Sequence, residues 1–584
     1  MKQLCLRVAG RRFWLVLLAT AWLLGAGAPA SRAQAPAWQS VQNPAHLVNS
    51  YSFGRVTATD ASGNVFLAGT FAGTVRFGSI SLTSAGDYDI YVAKWSPVAN
   101  GFVWAQQAGG PLAEEVQSLV LNGSSIYVSG TFGSPAASFG PITLANAGQA
   151  TTTGTQDIFV AKLTDTGPTA SFAWAQRAGG AGFDYVYGLA STGSSVYLVG
   201  EYNTATSFGS ISLPATGSIS LYVAKLTDAG ATSSFVWVQQ VGTAVGTLTA
   251  TTIATVGASL YISGYFYGRS VAFGPTTLTN TDPSGYSGDT FVAKLLDAGP
   301  SASIAWVTQL GGASFDRPQA IAASGSALYV AGLYSGSPFT AGSSTLPMPA
   351  GGSDIYLVRL TDTGSAGTVG WAQRAGGGDD DVPFALAIAG QSVYMVGVFR
   401  GSTADFGPAT LTNPGISGTF LTKVLDLGSS GSFAWALAGG GQGYCSGTGL
   451  AISGSRLFVA GTAVGTPASF GALVIPASVG SLTAYLASAV DASLPSATTP
   501  LAPAAPGLYP NPAHQVVNVP LAGLSGPALF TLTDALGRVA LSRTAALPPA
   551  GSHFPLDVSG VPPGVYVLLV QAGPLRFARR LVIN

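Results

Sequence analysis

The chain has 584 residues, 24 acidic and 24 basic side chains, a formal net charge of zero and only 8% charged residues, far below the roughly 25% of an average soluble domain. So neutral a chain, with six lysines, is no nucleic-acid binder working by phosphate neutralisation, and 47% apolar residues exclude a disordered polymer. Seventy-eight glycines beside abundant Thr, Ser, Val and aromatics give a β composition with turns, over a length that needs several domains or a repeat array.

Lys2, Arg7, Arg11 and Arg12 precede an apolar run from Phe13 to Gly25, and small residues follow as far as Ala35. This order reads as a secretory signal peptide over 1–33. Pro36 disfavours a cut after Ala35, so cleavage is expected after Ala33. The run falls short of the ~20 residues of a spanning helix, and no later segment is long enough and apolar enough to span as a helix. After cleavage Cys445 stands alone, so no intramolecular disulfide is expected, and it reads as a small buried residue.

From residue 34 to 491 one unit recurs seven times. Tryptophan marks the period at 38, 104, 174, 237, 306, 371 and 435. A second marker is an apolar run closed by glycine, at Gly69, Gly130, Gly200, Gly264, Gly332, Gly397 and Gly461. A third starts at Tyr91, Phe159, Tyr222, Phe291, Tyr356, Phe420 and Tyr485, as in Tyr91-Val92-Ala93-Lys94. Between the second and third, Phe-Gly recurs in six copies, the fifth lacking it. Each marker is a short run rich in β-branched and aromatic residues between turn residues. With a Gly-Leu-Ala stretch before the second marker, this makes about four strands per unit, the content of a propeller blade. The unit exceeds a usual ~40–50-residue blade repeat, and the surplus predicts a hairpin or long loop between the second and third markers. The array opens with a tryptophan strand and closes on Tyr485, so the residues near Trp38 are expected to supply the outer strand of the last blade. An open solenoid would need polar capping units, and the sequence has none.

Asp60-Ala61-Ser62-Gly63-Asn64-Val65-Phe66-Leu67-Ala68-Gly69, then Asp89-Ile90-Tyr91-Val92-Ala93-Lys94, then Trp104 and Gly109-Gly110, resemble the SBBP-type bacterial β-propeller repeat over roughly residues 38–491. The resemblance implies a propeller on an exported bacterial protein and no enzymatic activity.

The charges follow the repeat. Lys94, Lys162, Lys225, Lys294 and Lys423 share one position, held by Arg359 in the fifth copy. Asp165, Asp228, Asp297, Asp362, Asp426 and Asp491 start the turn after that strand, and Asp89, Asp157, Asp289 and Asp354 precede it. Glu114, Asp184, Asp316 and Asp381 lie ten residues after the tryptophan. Reuse from blade to blade points to structure, with lysine–acid pairing between strands or blades, since a buried lysine needs a carboxylate partner. The rival is an acidic ring at the channel mouth holding a cation. His46, His514 and His553 form neither a metal-ligand spacing nor a triad, so no cofactor and no catalytic residue is expected. Residues that break the repeat are the candidates for a ligand face: Glu201, Tyr265 and Arg400, with Tyr267, Arg269, Asp405 and Asp379-Asp380 beside them. A paired-carboxylate glycosidase could use Glu201 with Asp379 or Asp380, but exposed loops are the plainer reading. Aromatics after the marker glycine (Phe71, Phe132, Tyr202, Phe266, Tyr334, Phe399) read as core.

Residues 492–507 form a Pro/Ala/Ser/Thr linker. Strand-like runs with turns at Asp534–Gly537 and Pro563-Gly564 then predict a small Ig-like β-sandwich over 508–584. Tyr509-Pro510-Asn511-Pro512, the turn Asp534-x-x-Gly537-Arg538, the strand from Gly564 through Tyr566 and the end Arg579-Arg580-Leu581-Val582 closely resemble the type A sorting domain of the type IX secretion system of Bacteroidota. Arg579-Arg580 stands where lysines are frequent. The resemblance implies Sec export, recognition by the secretion machinery and its sortase, and release or attachment outside. The expected whole is all-β: a seven-bladed propeller and a sorting sandwich, secreted or held at the cell surface. Its expected role is a binding or adhesion scaffold for a glycan or protein ligand, not an enzyme. A secreted carbohydrate-active enzyme and a passive surface component are the alternatives.

Overall fold

The computed structural model describes residues 36–584 except 47–48, 149–154, 217, 245, 466, 477–481, 496–507, 521–526, 535–537, 547–552 and 573–574. The expected signal peptide, Gly537 and most of the linker therefore lie outside the described residues. Those described are all-β, and none of their helices is long and apolar enough to cross a membrane.

Seven antiparallel four-stranded sheets follow one another. Blade two shows the pattern: Glu114–Asn122 innermost, then Ser125–Phe132, Asp157–Asp165 and Ala170–Gly180 outermost. The innermost strands are the predicted Gly-Leu-Ala segments, and the outermost carry the tryptophans. Consecutive inner strands lie side by side around a central bore, and that of blade seven (Tyr444–Ser453) meets that of blade one (Tyr51–Thr59). Thr448 Oγ1 donates to the Gly54 carbonyl (2.8 Å) and Thr59 Oγ1 to that of Ile452 (2.7 Å) across this seam. Blade seven supplies three strands from the end of the array, and Trp38–Gln42 adds the fourth against Leu482–Val490, pairing Val41 with Ala487. The ring is closed as the array ends predicted, with Trp38–Gln42 as the outermost strand of the blade-seven sheet.

The surplus in each unit is a hairpin, and it pairs with the preceding blade. Ala136–Phe139 and Ile142–Ala145, from blade two, continue the blade-one sheet through Phe139 opposite Ala108. The hairpin phenylalanine packs on the aromatic that opens the third marker: Phe77 on Tyr91 at 4.8 Å, Phe139 on Phe159 at 5.0 Å, Phe470 on Tyr485 at 4.8 Å. Blade five lacks Phe-Gly because Ala341 precedes its turn, and Phe339, two residues earlier on the same hairpin face, stacks on Tyr356 instead (4.2 Å).

The repeated lysine pairs with the turn aspartate of the next blade, not with an acid of its own. Lys94–Asp165, Lys162–Asp228, Lys225–Asp297, Lys294–Asp362, Arg359–Asp426 and Lys423–Asp491 lie at 2.5–2.8 Å with both side chains largely buried. Each aspartate collects further donors. Asp228 accepts from Tyr127 Oη (2.6 Å), Trp174 Nε1 (3.0 Å) and its own turn amide at Gly230 (2.9 Å). Satisfying every lone pair in this way is what makes a buried ion pair tolerable. At the seam the latch is absent as a set. Ser488 stands for the lysine, Pro97 for the aspartate and Phe458 for the tyrosine, and Trp95 packs on Phe458 at 6.0 Å. Changing the three positions together leaves no buried charge without a partner there.

The tail forms a four-stranded sheet in the order Val539–Ala546, Pro527–Thr533, Gly564–Ala572, Leu575–Ile583, with Val516–Pro520 and His553–Asp557 as a separate pair. Val517, Val519, Phe530, Leu556, Leu568 and Leu581 fill one core between them.

Candidate functional site in the central bore

Every inner strand carries one β-bulge at the same place. The register skips Arg55, Gln117, Tyr187, Thr251, Gln319, Phe384 and Thr448, each opposite the marker glycine of the next strand. This explains the glycines. The carbonyl two residues before the bulge faces the marker glycine, so a Cβ on Gly130 would fall within the van der Waals shell of the Glu115 oxygen, and the other six markers meet the equivalent oxygen. The third-marker aromatic closes over the glycine, and where it is tyrosine it can donate to that carbonyl, as Tyr91 does to Phe53 and Tyr222 to Tyr185 (both 3.0 Å).

All seven bulged residues line one cavity of about 430 Å³ in the bore, within the range of small-ligand sites. The frame repeats while the side chains it presents do not. Arg55 donates to Gln117 (2.6 Å); the surrounding protein lowers its pKa, and nearby Glu115 opposes this. Tyr187 donates to Glu201 Oε1 (2.9 Å) and Thr249 to Oε2 (2.7 Å). Burial, then Glu201, pushes the Tyr187 phenol far above its ordinary value. Phe183, just before the strand Asp184–Thr192, and Tyr185 and Tyr187 on it stack in nearly parallel planes at 6.3 and 6.1 Å. Tyr265, Tyr267 and Phe315 form a second aromatic cluster, and the Arg317 guanidinium lies 5.3 Å from the Tyr265 ring centre.

Two of the three residues singled out for the ligand face therefore come together here, Glu201 behind Tyr187 and Thr249, and Tyr265 behind Arg317. Arg400 does not join them. It sits in blade six, held by Asp380 (3.5 Å) and, through its own amide, by Asp381 (3.2 Å). Asp380 accepts the Ser353 amide, so neither Asp379-Asp380 nor Arg400 forms a pair with Glu201. The bulge ring itself escaped sequence reasoning, although a glycine inside a strand is a known sign of a bulge.

The acids ten residues after the tryptophan do not ring the channel mouth. Glu114, Asp184, Asp316 and Asp381 are at most 1% exposed, and each accepts the amide four residues earlier, at Gly110, Gly180, Gly312 or Gly377 (2.6–2.8 Å), closing the turn between blades. Asp89, Asp157, Asp289 and Asp354 of the preceding blades lie near them. Burial raises Glu114 to about 7, Asp184 to about 6, Asp316 to about 8 and Asp381 to about 7, and the neighbouring aspartate adds to each shift. Among the described residues no group of three or more His, Cys, Asp or Glu side chains could hold a metal. Cys445 is buried, its thiol pushed up to about 11, and the aromatics after the marker glycines are all fully buried.

In the tail, Asn511 holds the last strand: its Nδ2 donates to the Arg580 carbonyl and its Oδ1 accepts from Val582 N, both at 2.9 Å. Tyr509, Pro510 and Pro512 are exposed around it. Asp534 accepts from the Arg538 amide (3.0 Å) and Nε (2.7 Å), closing the turn. Tyr566 Oη donates to the Pro562 carbonyl (2.8 Å), and its ring packs against Gly564. Residues 507–584 match the family of secretion system C-terminal sorting domains. This tail is a type IX secretion sorting domain. It marks the chain for secretion or attachment at the cell surface and implies contact with the secretion machinery. No curated protein matches the chain. Among solved structures, Trypanosoma rangeli sialidase aligns at 10% identity and a TM-score of 0.32, over 82% of this chain and 86% of that one. The same sialidase with 2,3-difluorosialic acid as covalent intermediate aligns at 10% identity and 0.29, over 94% and 87%. The blade count rests on the strand pairing, not on these alignments.

Proposed function

We propose that the chain is an exported binding scaffold, delivered by its sorting domain, whose propeller holds a glycan or protein ligand at the central bore. The observation that carries this reading is the bulge ring. Seven equivalent backbone positions present side chains of five kinds into one cavity. A rigid frame with variable projecting residues is how a recurring fold acquires a specific site. The stacked Phe183, Tyr185 and Tyr187 offer flat apolar faces, the two tyrosines with polar tips, which suit sugar rings or peptide side chains. The resemblance of the repeat to SBBP-type units agrees with a surface role, and the type A tail motifs with recognition and removal by the sortase. The scattered histidines and the pairing of the turn aspartates with the repeated lysines favour binding over turnover. The test is a glycan array probed with the secreted chain, with released reducing sugar assayed in parallel. Binding that Tyr187→Ala abolishes, without sugar release, is the expected result. Sugar release would make the chain an enzyme, and binding indifferent to Tyr187 would move the site away from the bore.

A further inference from the structure

Resting on that reading, we infer that the bore selects an acidic saccharide, its anionic group held by Arg317. Nearly every enclosed basic side chain of the propeller has a carboxylate partner, as the six latches and the pairs Arg177–Asp157 and Arg374–Asp354 illustrate. Arg317 and Arg55 form no ion pair among the described residues, and they are the two charged groups lining the cavity, where no acid joins them. Arg317 Nε is buried with no hydrogen-bond partner. Its guanidinium is braced by the Tyr265 ring, which fixes its plane without neutralising it. Arg55, by contrast, is exposed, donates to Gln117 and feels the charge of Glu115, so Arg317 is the cation left open. Glu201 is held by the hydroxyls of Tyr187 and Thr249 and makes no ion pair with Arg317 among the described residues.

A guanidinium fork matches a carboxylate or sulfate in two parallel hydrogen bonds. An enclosed cation without a counter-ion gains most when a ligand brings one. Arg317 of blade five and Tyr187 of blade three line the same cavity, so a ligand whose acidic group meets Arg317 can turn a ring face to Tyr187. A sugar carrying one acidic group fits this set; a neutral sugar leaves Arg317 without a partner, and a small inorganic anion leaves the aromatics unused.

The experiment is calorimetric titration of the full secreted chain with an oligogalacturonate, a sulfated galactan oligosaccharide and a neutral galactan oligosaccharide of equal length. Uronate or sulfate binding is expected, weakening with salt. Arg317→Gln should lower the affinity roughly ten- to hundred-fold, the worth of a hydrogen bond to a charged group. Arg317→Lys should recover part of it, and Arg76→Gln, an exposed control outside the bore, should leave it unchanged. Matching thermal melts of the variants exclude a folding defect. Neutral binding of equal strength that Arg317→Gln does not alter and Tyr187→Ala abolishes would overturn the acidic preference and keep the site. Absence of binding by all three probes would overturn both.

Discussion

Replacing Asp228 by asparagine keeps the shape of a blade latch and removes its charge. Lys162 Nζ, 2.6 Å from Asp228 and with 8% of its side chain exposed, would then have only neutral acceptors, the Asn oxygen and the Gly230 carbonyl at 3.1 Å. At 2.6 Å the direct attraction is roughly 6 kcal/mol with an effective dielectric of 20. Breaking a buried pair from one side costs about 3–5 kcal/mol, because the other charge stays buried. Removing both charges costs far less. Urea unfolding followed by tryptophan fluorescence should therefore show Asp228→Asn about 3–5 kcal/mol less stable than wild type at pH 7. The double variant Lys162→Met/Asp228→Asn should regain most of that loss. A single-variant loss below about 1 kcal/mol, the value of an exposed pair, would refute the reasoning, as would a double variant no better than the single.

The buried acids predict an unusual pH dependence. Because Glu114, Asp316 and Asp381 hold protons in the folded state to about pH 7, 8 and 7 while the unfolded chain releases them near pH 4, the folded form binds more protons between those values. Stability should fall as pH rises from 5 to 8, although the latch aspartates, held low by their partners, lose stability only at stronger acidity. Urea midpoints at the two pH values check this, with Asp316→Asn flattening the fall; a wild type more stable at pH 8 would contradict it. Gly130→Ala should abolish folding or cost more than about 4 kcal/mol, because the Glu115 carbonyl occupies the place of the new Cβ. Gly193→Ala, in an open turn at φ 56°, should cost only about 1 kcal/mol, and equal effects at the two sites would argue against the bulge.

What the sequence made legible was whatever repeats through side-chain identity. Tryptophan, glycine and the lysine strand recur as letters, so blade number, strand order and closure by Trp38 could be read before any coordinates. That lysine pairs with acid was legible; that the acid belongs to the next blade was not, because Asp157 and Asp165 flank Lys162 on its own strand and only the packing of sheets sets it against Asp228 instead. The burial of Glu114 and its cognates was hidden too, since an acid that caps the amide four residues earlier is spelled like one at a surface turn. The bulge ring was least visible. Arg55, Gln117, Tyr187, Thr251, Gln319, Phe384 and Thr448 share a backbone irregularity and no chemistry, so no residue pattern marks them. Arg400 misled because departure from a repeat flags a loop as readily as a site.

The bore exists only if the ring closes on Trp38–Gln42. Ser40 and Ser488 face each other across that junction, their hydroxyls 2.7 Å apart, and directly opposed antiparallel residues lie within disulfide reach. The exported double variant Ser40→Cys/Ser488→Cys should oxidise completely, leaving only Cys445 to react with a thiol reagent after denaturation. Two further titratable thiols under oxidising conditions would mean that blade seven is not completed by Trp38–Gln42.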